Sequence, residues 1–337
     1  MTVLVTGAAG LLGSHLTELL LAGGERPRLL IRPGERVGLS TEEDVAIIRA
    51  DIADRVALEA AVRGVDRVLH CAARTGPWGP RAEFERTNVQ ALGMLVEVAR
   101  AAGVGRIVHV SSITVHGNDV RGTADETAAL REERNPYSWS KVAGERLLDR
   151  MIREEGAPVT IVRPGWIYGP RDCASFARFA AMIARGRMIL LGSGRNHLPL
   201  IYVRDAARGV LLAAQVAEAA GRSYVLVNDE PVTQHDFIGA IAAELGVPAP
   251  TRRIPYRSAV IAGALAETAG RLARRRQPPP VMRYGVQLLG GENRFSIERA
   301  RRELGFSPQV GLAEGVRRSV EWYRQANGSP APLPVHA

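Results

Sequence analysis

Apolar positions follow two periods along the first half of the chain. Val3-Leu4-Val5 is a short continuous run, and Leu11, Leu12, Leu16, Leu19 and Leu20 follow at helical spacing until Gly23-Gly24. A short apolar run bounded by turn residues predicts a buried strand, and apolar positions three and four apart predict one face of a helix. The alternation continues, with strands expected over 29–31, 45–48, 65–71, 106–110 and 159–162 and helices between most of them, notably over 88–102 and 138–154. Strands apolar on both faces and separated by helices predict an α/β fold with a doubly wound parallel sheet.

Beyond about residue 165 the pattern loosens. Helices are expected over 176–185, 210–216 and 236–245, and short strands over 201–203 and 224–227. Gly192-Ser193-Gly194 marks a turn and Pro278-Pro279-Pro280 interrupts the chain, which closes with helices over 297–304 and 312–326. The expected organisation is a first domain over 1–165 and a smaller cap over 166–326, with some cap segments returning to the main sheet. Residues 327–337 are small, polar and proline-containing, and predict a flexible tail.

Composition narrows the class. An apolar fraction of 46% in 337 residues supports a full core. Cys71 and Cys173 are the only cysteines, so no disulfide framework is implied and a cytoplasmic location is expected. A strand at the second or third residue, running straight into a glycine loop, leaves no room for a secretory signal, and there is no run of 18 apolar residues. The net charge of +9 comes from scattered arginines with only short clusters such as Arg274-Arg275-Arg276. That scatter argues against a nucleic-acid partner, and no metal site is expected.

Of the 44 basic side chains, Lys141 alone is lysine. It stands four residues after Tyr137 in Pro136-Tyr137-Ser138-Trp139-Ser140-Lys141, so a helix places both on one face. An ammonium beside a phenol is expected to lower the phenol's pKa, and it can donate to ribose hydroxyls as a rotatable point charge. At the other end of the chain, Thr6-Gly7-Ala8-Ala9-Gly10-Leu11-Leu12-Gly13 joins the first strand to the first helix. Glycines there allow a tight turn and let backbone amides approach a pyrophosphate at the helix N-terminus.

The spacing G-x-x-G-x-x-G after threonine, together with the tyrosine–lysine pair, resembles the extended branch of the short-chain dehydrogenase/reductase superfamily. Four further segments agree: Asp51-Ile52 after the third strand, His70-Cys71-Ala72-Ala73 ending the fourth, Ser111 to Gly117 ending the fifth, and Arg163-Pro164-Gly165-Trp166-Ile167-Tyr168-Gly169-Pro170 after the sixth. His116 stands where that family usually has tyrosine. The resemblance implies a Rossmann-type NAD(P)-binding sheet and assigns Tyr137 as general acid/base, Lys141 as its partner and ribose ligand, and Ser112 as the hydroxyl that stabilises charge on the substrate oxygen. It further implies cofactor contacts from Gly7, Gly10, Leu11, Leu12, Gly13, Asp51, Ile52, Ala72, Ala73, Pro164 and Ile167. Asn88 is read either as a residue supporting that site or as a helix N-cap, and Ser111 either touches the cofactor or ends its strand.

Three features sharpen the reading. Ile31 is followed by Arg32 rather than an acid. An arginine there can pair with a ribose 2′-phosphate, so NADP is favoured over NAD. Nucleotide-sugar dehydratases of the family carry Asp-Glu after the catalytic serine or threonine, whereas this chain has Ile113-Thr114. The distal segments Gly76-Pro77-Trp78-Gly79, Gly192 to Asn196, Asn228 to Val232 and Phe295 to Ala300 are similar to the 3β-hydroxysteroid dehydrogenase group, which includes sterol-4-carboxylate 3-dehydrogenases and 2-alkyl-3-oxoalkanoate reductases.

The expected activity is therefore hydride transfer between a nicotinamide and a secondary alcohol or ketone at the β-position of a hydrophobic substrate. Its rivals are a nucleotide-sugar epimerase with tightly bound NAD and a non-catalytic nucleotide-sensing protein. Trp78, Trp166 and Tyr168 are the expected pocket walls. The apolar stretch 258–272, with basic residues to 276, fits either an interfacial helix touching a membrane or a core helix with a basic end. A homodimer through the helices over 88–102 and 138–154 is what the resemblance implies.

Overall fold

The structure, a computed structural model, describes residues 1–38, 45–120 and 122–328. The tail expected over 327–337 lies outside the described residues except for the last two positions of the final helix.

In the first half, β1 (Val3–Thr6) runs into α1 (Leu11–Ala22), β2 (Arg28–Ile31), β3 (Ala46–Arg49), α2 (Arg55–Val62), β4 (Arg67–His70) and α3 (Arg81–Glu85). A π-helical turn at Arg86–Gln90 leads to α4 (Ala91–Ala101), then β5 (Arg106–Val110), β6 (Thr123–Ala124), α5 (Pro136–Glu155) and β7 (Val159–Pro164). The second half holds β8 (Trp166–Tyr168), α6 (Phe176–Ala184), β9 (Leu190–Leu191), β10 (Leu200–Tyr202), α7 (Val203–Gln215), β11 (Ser223–Leu226) and α8 (Gln234–Leu245). It ends with β12 (Arg253–Ile254), α9 (Tyr256–Leu272), α10 (Arg283–Gly290), β13 (Arg294–Phe295), α11 (Glu298–Leu304) and α12 (Leu312–Gly328).

Seven parallel strands form the main sheet in the order β11-β7-β5-β4-β1-β2-β3. The Rossmann-type sheet read from the sequence is what the chain forms. Its strand order reverses between β1 and β4, the point at which sheets of this kind bind ligands beyond the carboxyl ends of their strands. Both faces are covered, which is why the strands read as unbroken apolar runs. Val3, Val5, Leu29, Leu69 and Val108 meet α1, α7 and α11, while Leu4, Leu30, Val68, Ile107 and Val159 meet α2, α4 and α5. A third core, built on Tyr168, Phe176, Tyr202, Phe237 and Val316, belongs to the cap.

Several boundaries differ from the sequence reading. The helix expected from residue 88 is preceded by α3 and the π-turn, so Asn88 lies inside helical structure and is not an N-cap. α7 begins at Val203 instead of 210, because the short strand before it ends at Tyr202. α10, which the sequence reading did not anticipate, packs against α9. Among the described residues, no helix is long and apolar enough to cross a membrane.

Candidate active site

The glycine turn is shaped by close backbone approach. Gly7 has φ +67°, and a Cβ there would lie 2.7 Å from the Ala72 nitrogen; a Cβ on Gly13 would lie 2.3 Å from the Gly7 carbonyl oxygen. Side chains are excluded from this corner, which leaves backbone amides lining it as α1 begins at Leu11 and Leu12. Gly10, the cap of α1, offers no side-chain acceptor. This cradle fits a dinucleotide pyrophosphate. Ala73 follows β4, which adjoins β1 on one side, and Asp51-Ile52 follow β3, two strands away on the other side. The Asp51 carboxylate accepts from the Ala53 amide at 2.9 Å and from Arg86 at 2.8 Å, and these bonds, the amide first, hold it below its usual range.

Arg32 occupies the corner after β2, as the sequence places it, with its side chain 67% exposed. Its guanidinium is paired with Glu35 at 2.6–2.9 Å, and its amide donates to the same carboxylate. An acid therefore does stand at this corner, supplied from three residues downstream.

The catalytic residues converge from two elements. Asn135 caps α5 by accepting from the Ser138 amide at 2.8 Å, and Pro136 opens the helix, so Tyr137 and Lys141 share its first turns. Ser112, extended just beyond β5, stands beside Tyr137. Burial pushes the Tyr137 phenol up to about 12, and the neighbouring Ser112 only partly opposes this.

The expected lowering by Lys141 is not found. The lysine Nζ donates to the Val110 carbonyl at 2.8 Å and lies 5.9 Å from the centroid of the Tyr137 ring. Desolvation therefore wins at the phenol, and it stays protonated at neutral pH. Burial also pulls the Lys141 ammonium down to about 8, against the favourable field of Glu145.

Two neighbours, Ser111 and Asn88, tie the elements around the catalytic residues together. The Ser111 hydroxyl donates to Glu145 at 2.5 Å. Glu145 also pairs with Arg163 at 2.6 Å, both side chains being buried, so β5, α5 and β7 are tied beneath the catalytic residues. Arg163 in turn reaches His116 at 3.3 Å and the Glu126 carbonyl at 3.1 Å. Asn88 accepts from the Arg74 amide at 2.8 Å and donates to the Arg74 carbonyl and to Ser140 Oγ, joining the loop after β4 to α5.

A polar row missed in the sequence crosses the same face of the sheet: Thr6, His70 and His109 are consecutive register partners. Thr6 and His70 are hydrogen-bonded at 2.8 Å, and the two imidazoles stack at 5.3 Å. Burial and the Lys141 charge hold both histidines neutral.

Pro164 and Ile167 flank the bend where the chain leaves the main sheet for β8, which pairs with β10. Of the three expected pocket walls, Tyr168 is fully buried against Phe176, Tyr202 and Phe237 and belongs to the cap core instead. Trp166 is half-buried between Phe179 and Phe237 and donates to Ser175 Oγ at 3.1 Å. Trp78 reaches across to the end of α9, donating to the Arg275 carbonyl at 3.1 Å beneath the Arg271 guanidinium. Tyr284, which no spacing in the sequence singled out, meets Tyr137 from the cap side.

Comparison with known proteins agrees with this geometry. The model of the NAD dependent epimerase/dehydratase family matches residues 3–226. A 2-alkyl-3-oxoalkanoate reductase of Stenotrophomonas maltophilia is 33% identical over 331 residues, covering 94% of this chain and 98% of the relative. Sterol demethylase protein B of Methylococcus capsulatus is also 33% identical, covering 96% of this chain and 99% of that one. The solved structure of dTDP-glucose 4,6-dehydratase from Streptomyces venezuelae, with NAD bound, superposes with a TM-score of 0.79 at 28% identity, covering 99% of this chain and 100% of that chain. The chain belongs to the NAD dependent epimerase/dehydratase family, the extended short-chain dehydrogenases/reductases, and is an NAD(P)-dependent oxidoreductase.

Proposed function

We propose that the chain reduces a ketone at the β-position of a hydrophobic molecule, a 2-alkyl-3-oxo acid or a steroid-like compound, with NADPH as the preferred donor. The observation that carries the reading is the convergence of Ser112, Tyr137 and Lys141, with the Lys141 Nζ held on the Val110 carbonyl 5.9 Å from the Tyr137 ring. A bound nicotinamide supplies the hydride. Tyr137, protonated at neutral pH, gives its proton to the forming alkoxide, Ser112 donates to the same oxygen, and the Lys141 ammonium would hold the nicotinamide ribose. The similarity to a protein named a 2-alkyl-3-oxoalkanoate reductase supports the substrate class.

NADP preference is supported by Arg32 at the end of β2, with Arg36 and Arg49 close in the same corner. Engaging a 2′-phosphate requires Arg32 to exchange Glu35 for the phosphate, which carries more charge. A cytoplasmic homodimer through α4 and α5 goes with this reading, supported by free Cys71 and Cys173 and by half-buried Met94 and Leu147 on those helices. So does peripheral membrane contact through 258–276, supported by outward-facing Ile261, Leu265 and Leu272 (60%, 66% and 82% exposed) beside Arg271 and Arg274 to Arg276.

The test is oxidation of NADPH by purified protein with 2-alkyl-3-oxoalkanoates and 3-ketosteroids, alongside Arg32→Ala. Turnover with NADPH, with affinity for NADPH falling about tenfold or more in Arg32→Ala while that for NADH holds, supports the reading. A nicotinamide that copurifies and is never consumed moves the assignment to a nucleotide-sugar epimerase.

A further inference from the structure

The cap approaches the catalytic tyrosine through one side chain, and its placement is tightly fixed. Glu267 on α9 accepts from the Arg283 amide at 2.7 Å and from the Arg283 guanidinium at 3.1 Å, and the carboxylate is buried. Behind this clamp the two helices touch through backbone: a Cβ on Gly263 would lie 2.8 Å from the Arg283 nitrogen. The first turn of α10 is held rigidly as a result, and its next residue is Tyr284.

The Tyr284 ring meets the Tyr137 ring edge-on, with centroids 6.4 Å apart at 87°. Burial raises the Tyr284 phenol well above its ordinary value, and the neighbouring Tyr137 and Glu133 oppose its ionisation further. Glu133 is itself occupied, accepting from the Asn118 amide at 3.0 Å and from Asn135 Nδ2 at 3.0 Å. Tyr284 is therefore a neutral phenol set edge-on against the catalytic tyrosine.

A substrate that is apolar apart from its ketone has no use for a second phenol, and a cap wall for such a substrate is served as well by phenylalanine. The Tyr284 side chain is half-buried, so its hydroxyl is free to exchange water for an oxygen on the ligand. In a 3-oxo acid or its ester the acyl oxygens sit three bonds beyond the ketone carbon, within reach of a residue neighbouring the one that holds the ketone.

We propose that Tyr284 is a specificity-determining residue that donates a hydrogen bond to the acyl oxygen of a 1,3-dioxygenated substrate while Tyr137 serves its ketone. This rests on the ketone-reductase reading above and narrows it from apolar ketones to those with an acyl oxygen β to the carbonyl, free acid and ester being distinguished by experiment.

The experiment measures kcat and KM with NADPH for wild type and Tyr284→Phe on three substrates of one chain length: a 2-alkyl-3-oxoalkanoate, its methyl ester, and the plain ketone without the acyl group. The ratio of kcat/KM for the acid over the plain ketone is expected to fall about tenfold in the variant, mainly through KM. A similar fall for the ester shows that a neutral acyl oxygen suffices, and a fall confined to the acid assigns the bond to the carboxylate. Ratios unchanged for both overturn the proposal and leave the reductase reading standing. Wild-type protein inactive on all three substrates removes the reading and the proposal together. Thermal unfolding of Tyr284→Phe and its NADPH affinity, both expected at wild-type values, show that the substitution has altered neither the fold nor the cofactor cradle.

Discussion

The sheet half and the cap place their site residues by different means. In the sheet half, backbone does the placing: Thr6, His70 and His109 lie side by side because their strands are in register, and the cradle exists because Gly7 and Gly13 leave no space for side chains. In the cap, two-residue and three-residue strands contribute little, and side chains do the placing, through the Glu267–Arg283 clamp and the Tyr168, Phe176 and Phe237 cluster. Backbone placement admits few residue types at each position, whereas side-chain placement admits many. A fold built this way keeps its chemistry constant in one half and leaves the other free to change its substrate.

The largest test of that division falls on the sheet half. Tyr137→Phe removes one oxygen and is expected to lower kcat by about 10² to 10⁴, with NADPH affinity near the wild-type value. Steady-state kinetics beside a fluorescence titration measure both, and substantial residual turnover would sink the proposed mechanism.

Next in size is the buried pair under the site. Arg163→Met leaves the Glu145 carboxylate uncompensated between three elements and should cost roughly 3–5 kcal/mol of stability. Glu314→Gln on α12 breaks exposed pairs with Arg317 and Arg318 and should leave the urea midpoint unmoved. Equal shifts for the two variants would erase the contrast between the halves.

The smallest effect is a pH limb. With its pKa lowered to about 8, Lys141 is charged below that pH and neutral above it. kcat/KM for reduction should therefore hold up to about pH 8 and fall toward tenfold per unit beyond it, as the ammonium expected to hold the nicotinamide ribose is lost. Lys141→Arg, slower overall, should show a flat profile in the same range, since a guanidinium does not titrate there.

Legibility followed the same division. The glycine turn, the 106–110 strand and the Tyr137–Lys141 spacing were plain in the sequence, because each is local and each needs a particular residue type. The direction of the Tyr137 shift was not, since spacing shows which groups are neighbours but not how much water each has lost. Glu145 and Arg163 are 18 positions apart, Glu267 and Arg283 are 16 apart, and Trp78 meets Arg275 across 197. No periodicity records such pairings, so the supporting network, Tyr284 and the burial of Tyr168 became visible only in the folded chain. Arg32 lies between the two cases: its place at the strand end is legible, whereas its pairing with Glu35, three residues on, depends on how the turn between them folds.

The returning strands bear on how the molecule is made. β11 pairs with β7 at the edge of the main sheet, and β13 pairs with β6, with the Ser296 amide closing onto the Ala124 carbonyl at 2.8 Å. A nascent chain leaving the ribosome holds every catalytic residue once position 141 has emerged. Its sheet nevertheless keeps an open, apolar edge at β7 until residue 226 follows, and β6 waits for residue 295. Open edges of that kind recruit other strands. The order of the sequence thus makes the nucleotide-binding half dependent on the cap for its own protection during synthesis, and a fragment ending at residue 165 would carry the whole catalytic constellation on a sheet with an adhesive border.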